Sequence, residues 1–180
     1  MKKFIKKKKL RVTLYVTVVV IVAGFLMLLL PFRNPVVGAN VSDYHPQSFW
    51  YYPWGSSVTH KGVDIFGKKG TPVQTAYPVE LVLFAGNIPG SKEGNCVVTL
   101  APGWRLHCYA HLNEVTTHLF ALGGRIGTVG NTGNAAKTPS HLHFGCATIY
   151  PRFGAIDTTP HGFLKCFFIN PIPQLNKASS

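Results

Sequence analysis

Acidic residues are scarce in this 180-residue chain: six Asp and Glu stand against eighteen Lys and Arg. The shortage leaves a formal charge of +12, but it does not mark a nucleic-acid-binding domain, which spreads basic residues over a folded face. Seven of the cations (Lys2, Lys3, Lys6, Lys7, Lys8, Lys9 and Arg11) fall in the first eleven residues. From residue 12 onward eleven cations face six acids, an excess of five, and no nucleic-acid partner is expected. Cysteine is limited to Cys96, Cys108, Cys146 and Cys166, and no pair has the C-x-x-C spacing that would suggest a thiolate zinc site. The chain also lacks a repeat of fixed period and any low-complexity tract beyond the terminal lysines. Eighteen Gly, thirteen Pro and 46% apolar residues exclude a coiled coil and a disordered chain. A chain of this length suits one packed, turn-rich domain with a segment appended.

That segment is amino-terminal. Nineteen uncharged residues run from Val12 to Leu30 and stop at Pro31, just long enough for a helix to cross the hydrocarbon layer. The lysine cluster before them (1–11) is expected to stay in the cytoplasm, which places the rest of the chain outside the cytoplasmic membrane. Val37-Gly-Ala39 offers the small residues of a signal-peptide cleavage site, but the apolar run exceeds the usual length and Pro31, Arg33 and Pro35 intervene. The expectation is a single-pass anchor with its domain on the periplasmic or cell-wall face. Four cysteines fit that oxidising compartment, and a hairpin centred on Pro102 would bring Cys96 opposite Cys108 for a disulfide.

Three prolines and no periodicity mark residues 31–48 as a linker, with the domain expected over 49–175 and a tail over 176–180. Short β-type runs cover Thr71 to Thr75, Val79 to Ala85, Cys96 to Leu100, Trp104 to Ala110, Arg125 to Val129 and His141 to Cys146. Gly and Pro clusters separate them, which predicts a mainly antiparallel β fold. Only Asn113 to Leu122 offers a helical turn or two. The aromatic run Trp50-Tyr51-Tyr52-Pro53-Trp54 reads as core packing.

Eight histidines carry most of the chemical information. His60-Lys-Gly-Val-Asp64 places an imidazole and a carboxylate on one side of either a strand or a helix. In His141-Leu142-His143, an extended backbone points both imidazoles to one face. Zinc takes nitrogen and oxygen donors, and a catalytic site keeps three protein ligands. His60, Asp64 and one of His141 and His143 make such a set, leaving the other and His111 for proton transfer or oxyanion stabilisation. Protonating either at the ordinary imidazole value near 6.5 is expected to weaken activity. His107 alternates with Tyr109 and His111 and is expected to line a groove, while His45, His118 and His161 lack matching partners. Gly62 is expected to permit a close approach, and Gly127, Gly130 and Gly133 to form turns.

Five ordered blocks resemble the lysostaphin-type (LytM-like) zinc endopeptidases: His60-Lys-Gly-Val-Asp64-Ile, Gly70-Thr-Pro-Val73, Tyr109-Ala-His-Leu112, Gly127-Thr-Val-Gly-Asn-Thr-Gly133 and His141-Leu-His-Phe144. The likeness extends from about Ser48 to Leu175 and includes Asn170-Pro-Ile-Pro173. It implies a compact β domain with an open groove, zinc as the cofactor, and hydrolysis of peptides in bacterial peptidoglycan. It also implies His60, Asp64 and His143 as metal ligands and His111 and His141 as the catalytic histidines. Cys146 departs from the family pattern after the His-x-His strand. The expected function is a membrane-anchored zinc metalloendopeptidase, with envelope proteins as further partners. The alternative is a non-catalytic relative that binds and activates another wall hydrolase.

Overall fold

The computed structural model describes residues 9, 11–19, 21–22, 29–116, 120–122 and 124–179. Two units divide the chain, Met1–Leu30 and Pro31–Ser180. In the first, residues 11–19 and 21–22 are helical. Among the described residues no helix is long and apolar enough to cross a membrane. Residues 20 and 23–28 of the expected span lie outside the described residues, as does His118.

The second unit is mainly antiparallel β-structure. Its strands are β1 (Val63–Phe66), β2 (Pro72–Gln74), β3 (Val79–Asn87), β4 (Asn95–Ala101), β5 (Arg105–Ala110), β6 (Glu114–Val115), β7 (Phe120–Leu122), β8 (Arg125–Thr128) and β9 (His141–Thr148). A six-stranded sheet has the order β1-β9-β5-β4-β3-β7, and a three-stranded sheet the order β2-β8-β6. The period of two along β1 and β9 is the feature that positions the site. Val63, Ile65, Leu142 and Phe144 point into the core with Tyr109, while Asp64, His141 and His143 fall on the opposite face. Each large apolar side chain buried this way contributes about 1.5–3 kcal/mol. The same core includes Val73 and Ile126 from the smaller sheet.

Residues 31–48 differ from the expected linker. Val36 and Tyr44 are buried in the core, Val36 forms a β-bridge with Val73, and Phe32 packs against the same cluster. Backbone bonds from Arg33 to Ala76 (2.8 Å), Val37 to Pro72 (3.1 Å) and Gln74 to Pro35 (2.8 Å) hold the segment along β2. Prolines here punctuate a packed edge rather than a spacer.

Asn113 to Leu122 forms no helix among its described residues, which supply β6 and β7 instead. Val115 and Thr116 are β-branched and favour this outcome; Val115 pairs with Gly127, and the Thr116 N–H donates to the Ile126 carbonyl at 2.9 Å. An α-helix, Ile172–Ala178, replaces most of the expected tail because Ile172 and Leu175, three residues apart, bury one face.

The expected disulfide does not form, and all four cysteines are free. Ala101 pairs with Arg105, so the hairpin centres on Gly103 and Cys108 lies opposite Val98. Shifting the centre by one residue moves the register by two, and Cys96 loses its partner. Burial pushes the Cys108 thiol up to about 12, which leaves it unreactive.

Candidate active site

Register delivers the first pair of polar groups. Asp64 of β1 stands directly opposite His143 of β9, and Phe66 stands opposite His141. His60 precedes β1 and is pinned by two backbone bonds, from its N–H to the Tyr51 carbonyl (3.0 Å) and from the Trp50 N–H to its own carbonyl (2.7 Å). Gly62 is required between them: a Cβ there would lie 2.6 Å from the Phe144 carbonyl oxygen and 2.8 Å from the His143 ring.

Three donor atoms consequently meet. His60 Nε2 is 3.0 Å from Asp64 Oδ1 and 3.0 Å from His143 Nδ1, and His143 Nδ1 is 2.8 Å from Asp64 Oδ1. The His60 Nδ1–H donates to the Ser48 carbonyl at 2.9 Å, leaving a lone pair on Nε2. Burial disfavours the Asp64 carboxylate, but hydrogen bonds and charge from His143 and His60 outweigh it and hold the group well below the usual carboxylate range.

His60, Asp64 and His143 fit a divalent metal. Two nitrogens and one oxygen suit zinc, whose tetrahedral ligand atoms, at about 2.0–2.1 Å from the ion, lie about 3.3 Å from one another. The observed spacings are close to that, and a shared cation accounts for three electron-rich atoms pointing at one place.

His141 and His111 flank this set. His141 Nε2 is 3.7 Å from Asp64 Oδ2, and its Nδ1–H donates to the Pro139 carbonyl at 2.8 Å. The His111 Nδ1–H donates to the Thr132 carbonyl at 3.0 Å, and its ring centre is 5.0 Å from that of His141 and 5.9 Å from that of His143. Strand alternation would send His111 into the core beside Tyr109. It adopts φ 64° instead, after the end of β5, and the left-handed turn delivers it to the cleft. Burial, followed by charge on His143 and His141, lowers His111 to about 4. Its imidazole is therefore neutral well below the expected titration near 6.5.

The block from Gly127 to Gly133 supplies more than turns. Gly130 bridges His141, and a Cβ on it would lie 2.6 Å from the His111 carbonyl oxygen, so this loop cradles both flanking histidines. Only Gly133 of the three has a left-handed φ. His107 does not line the groove: it is buried on the core face, with Nδ1 3.0 Å from Glu80 Oε1. Alternation puts His107 on one face with Tyr109, but that face is the core, and His111 leaves it.

The cleft has a volume of about 510 Å³ and includes all five residues assigned from the sequence. Trp54 also lines it and stacks on His60 with ring centres 4.1 Å apart. Within the aromatic run only Trp50 is a core residue; Tyr51, Tyr52 and Trp54 are exposed. Lys61, Lys92 and His161, given no role by sequence, line the same cleft. Lys61 sits inside a recognised block, whereas no pattern in the sequence points to Lys92.

Known proteins give the arrangement a context. The family model for Peptidase family M23 matches residues 58–152, more than half the chain. The catalytic domain of the antimicrobial peptidase lysostaphin from Staphylococcus simulans is 25% identical, with a TM-score of 0.52, over 71% of this chain and 88% of that domain. A zinc-containing peptidase from Vibrio cholerae is 25% identical, with a TM-score of 0.50, over 64% of this chain and 36% of that one. Whole lysostaphin shares the fold at 23% identity, with a TM-score of 0.55, over 82% of this chain and 56% of its own. The chain thus spans about half of whole lysostaphin and about a third of the Vibrio protein. No curated protein matches it. The family match covers the convergent donors and both flanking histidines, and on it the chain belongs to peptidase family M23.

Proposed function

We propose that the protein is a membrane-anchored zinc endopeptidase that hydrolyses peptide bonds in bacterial peptidoglycan, outside the cytoplasmic membrane. The observation that carries this reading is the meeting of His60 Nε2, Asp64 Oδ1 and His143 Nδ1 within 3.0 Å beside two more imidazoles. His60, Asp64 and His143 would hold the ion. When bound, zinc polarises a peptide carbonyl and lowers the pKa of water to about 7.

His111 and His141 do the proton work. Each spends its Nδ1–H on a backbone carbonyl, which fixes the ring and leaves Nε2 free to accept a proton. The ring that takes the proton of the attacking water then donates it to the leaving amine nitrogen. A protonated imidazole also stabilises charge developing on the carbonyl oxygen.

Similarity to lysostaphin and the Vibrio peptidase supports a peptidase activity, and the open cleft suits an extended peptide. Support for the anchor comes from the uncharged stretch 12–30 behind seven cations, and from the exposed large apolar side chains described between Val12 and Val22.

The test uses the full chain in detergent, loaded with zinc and mixed with purified peptidoglycan. Released peptide fragments that disappear with a chelator and in Asp64→Ala are the expected result. No release despite bound zinc would favour a binding protein that acts through another hydrolase.

A further inference from the structure

Two ammonium groups share one wall of the cleft. Lys61 Nζ donates to the Ser57 carbonyl at 3.2 Å, and Lys92 Nζ donates to the Ser56 carbonyl at 2.9 Å and to Ser57 Oγ at 3.3 Å. Both therefore attach to the same short 3-10 turn, Gly55–Ser57, from different parts of the fold. Lys61 follows His60 directly, whereas Lys92 comes from the β3–β4 connection. All four residues line the cleft that contains the candidate metal centre.

Neither charge is neutralised. Among the described residues no carboxylate forms an ion pair with Lys61 or Lys92, although six other basic side chains of this acid-poor domain (His60, His107, Arg125, His141, His143 and Lys165) find partners at Asp64, Glu80, Glu114 and Asp157. Glu93 lines the same cleft without pairing to either lysine. Each ammonium has three N–H donors; Lys61 spends one on the Ser57 carbonyl and also lies over the Trp50 ring at 5.9 Å, and Lys92 spends two, so each keeps at least one donor outside these hydrogen bonds. Like charges held on one wall repel each other until an anion lies between or beside them.

We infer that Lys61 and Lys92 bind a free carboxylate on the substrate, so that the preferred substrate is an acidic stem peptide rather than a glycine bridge without side-chain charge. This rests on the peptidase reading above and selects among its substrates. A carboxylate accepts from both ammoniums, and a carboxamide of equal size loses the ionic part of both bonds. Charge-assisted hydrogen bonds of this kind favour the acid by about 10- to 100-fold. Lys92 is exposed, so added salt reduces the preference.

The experiment compares two synthetic cross-linked stem peptides that differ in one group, a free carboxylate or its carboxamide beside the scissile bond, together with pentaglycine acetylated at its amino end and amidated at its carboxyl end. The zinc-loaded full chain is assayed for kcat/KM, and dye-labelled peptides report binding separately. The expected result is a preference of about 10- to 100-fold for the acid over the amide. That ratio falls toward one in Lys61→Gln and Lys92→Gln and recovers in Lys92→Arg. Lysines that merely pin the 55–57 turn would lower both rates together and leave the ratio unchanged. Equal cleavage of acid and amide, or faster cleavage of pentaglycine, overturns the inference while leaving the peptidase reading intact. Selective binding of the acid without cleavage of any peptide supports the inference and overturns the peptidase reading; equal binding without cleavage overturns both.

Discussion

Gly62 controls the site through what it lacks. A methyl group there meets the Phe144 carbonyl oxygen at 2.6 Å and the His143 ring at 2.8 Å, and the backbone oxygen has no freedom to withdraw from a paired strand. Gly62→Ala is therefore expected to cost about 1–3 kcal/mol and to push His143 away from Asp64. Thermal unfolding and zinc content, measured on the same sample, check the two effects together. Asp64 gives a second prediction. Zinc held at the proposed site would bind the folded protein and not the unfolded chain, so ion at 100 times its Kd should stabilise the protein by about 2.7 kcal/mol. For a domain of this size that raises Tm by about 5–10 °C, and a chelator removes the gain. In Asp64→Ala the melting temperature should be the same with and without zinc. A chelator-insensitive wild type would sink the metal assignment without any activity assay. At this scale the sequence was legible, because His60, Asp64, His111, His141 and His143 all reach the cleft. Trp54 was visible in an aromatic run but assigned to the core, since composition alone does not tell which ring of a run is buried.

Strands β3 and β5, two apart in the sheet, are joined beneath it by Glu80. Its Oε1 is 3.0 Å from His107 Nδ1 and accepts from the Tyr77 N–H at 2.9 Å; its Oε2 accepts from Tyr109 at 3.0 Å and from Thr99. Both members of the Glu80–His107 pair have fully buried side chains. Burial opposes the charge on each, yet the partner's charge raises His107 to about 9 and lowers Glu80. A raised histidine contributes stability that is complete below its unfolded value of 6.5 and is lost as pH climbs through about 9. A lowered carboxylate contributes stability that is complete above its unfolded value of 4.5 and is lost as pH falls through its lower folded value. The pair should therefore stabilise the domain most between pH 4.5 and 6.5, with Tm declining from 6.5 to about 9. His107→Ala leaves the carboxylate buried and unpaired and should cost about 3–5 kcal/mol, flattening that alkaline decline. Denaturant unfolding across this pH range checks both. His107 also shows why element-scale features are harder to read. Its alternation with Tyr109 was evident, but the partner that keeps both on the core face lies 27 residues away, and the left-handed turn that diverts His111 leaves no residue signature. The Cys96–Cys108 register failed similarly, since moving the hairpin centre from Pro102 to Gly103 needs only one residue.

Across the whole molecule, sequence and structure part most clearly at residue 31. Three prolines and the lack of periodicity point to a domain boundary near Phe49, whereas the second unit begins at Pro31. Local composition has no access to the fact that Val36 fills a space beside Val73, or that Tyr44 reaches Asn176 with a hydrogen bond of 2.9 Å. A chain beginning at residue 49 loses the core side chains of Val36 and Tyr44, the backbone bonds along β2 and the Ser48 carbonyl that orients His60. Removing Val36 and Tyr44 alone forfeits about 3–6 kcal/mol of burial, a large part of the total stability of a domain. Chains spanning residues 31–180 and 49–180 separate the two boundaries. The longer one should show a single cooperative unfolding transition and bind one zinc; the shorter should be molten or aggregated and bind none tightly. Equal melting temperatures for the two would restore the linker, and with it a domain free to range from the residues that precede it.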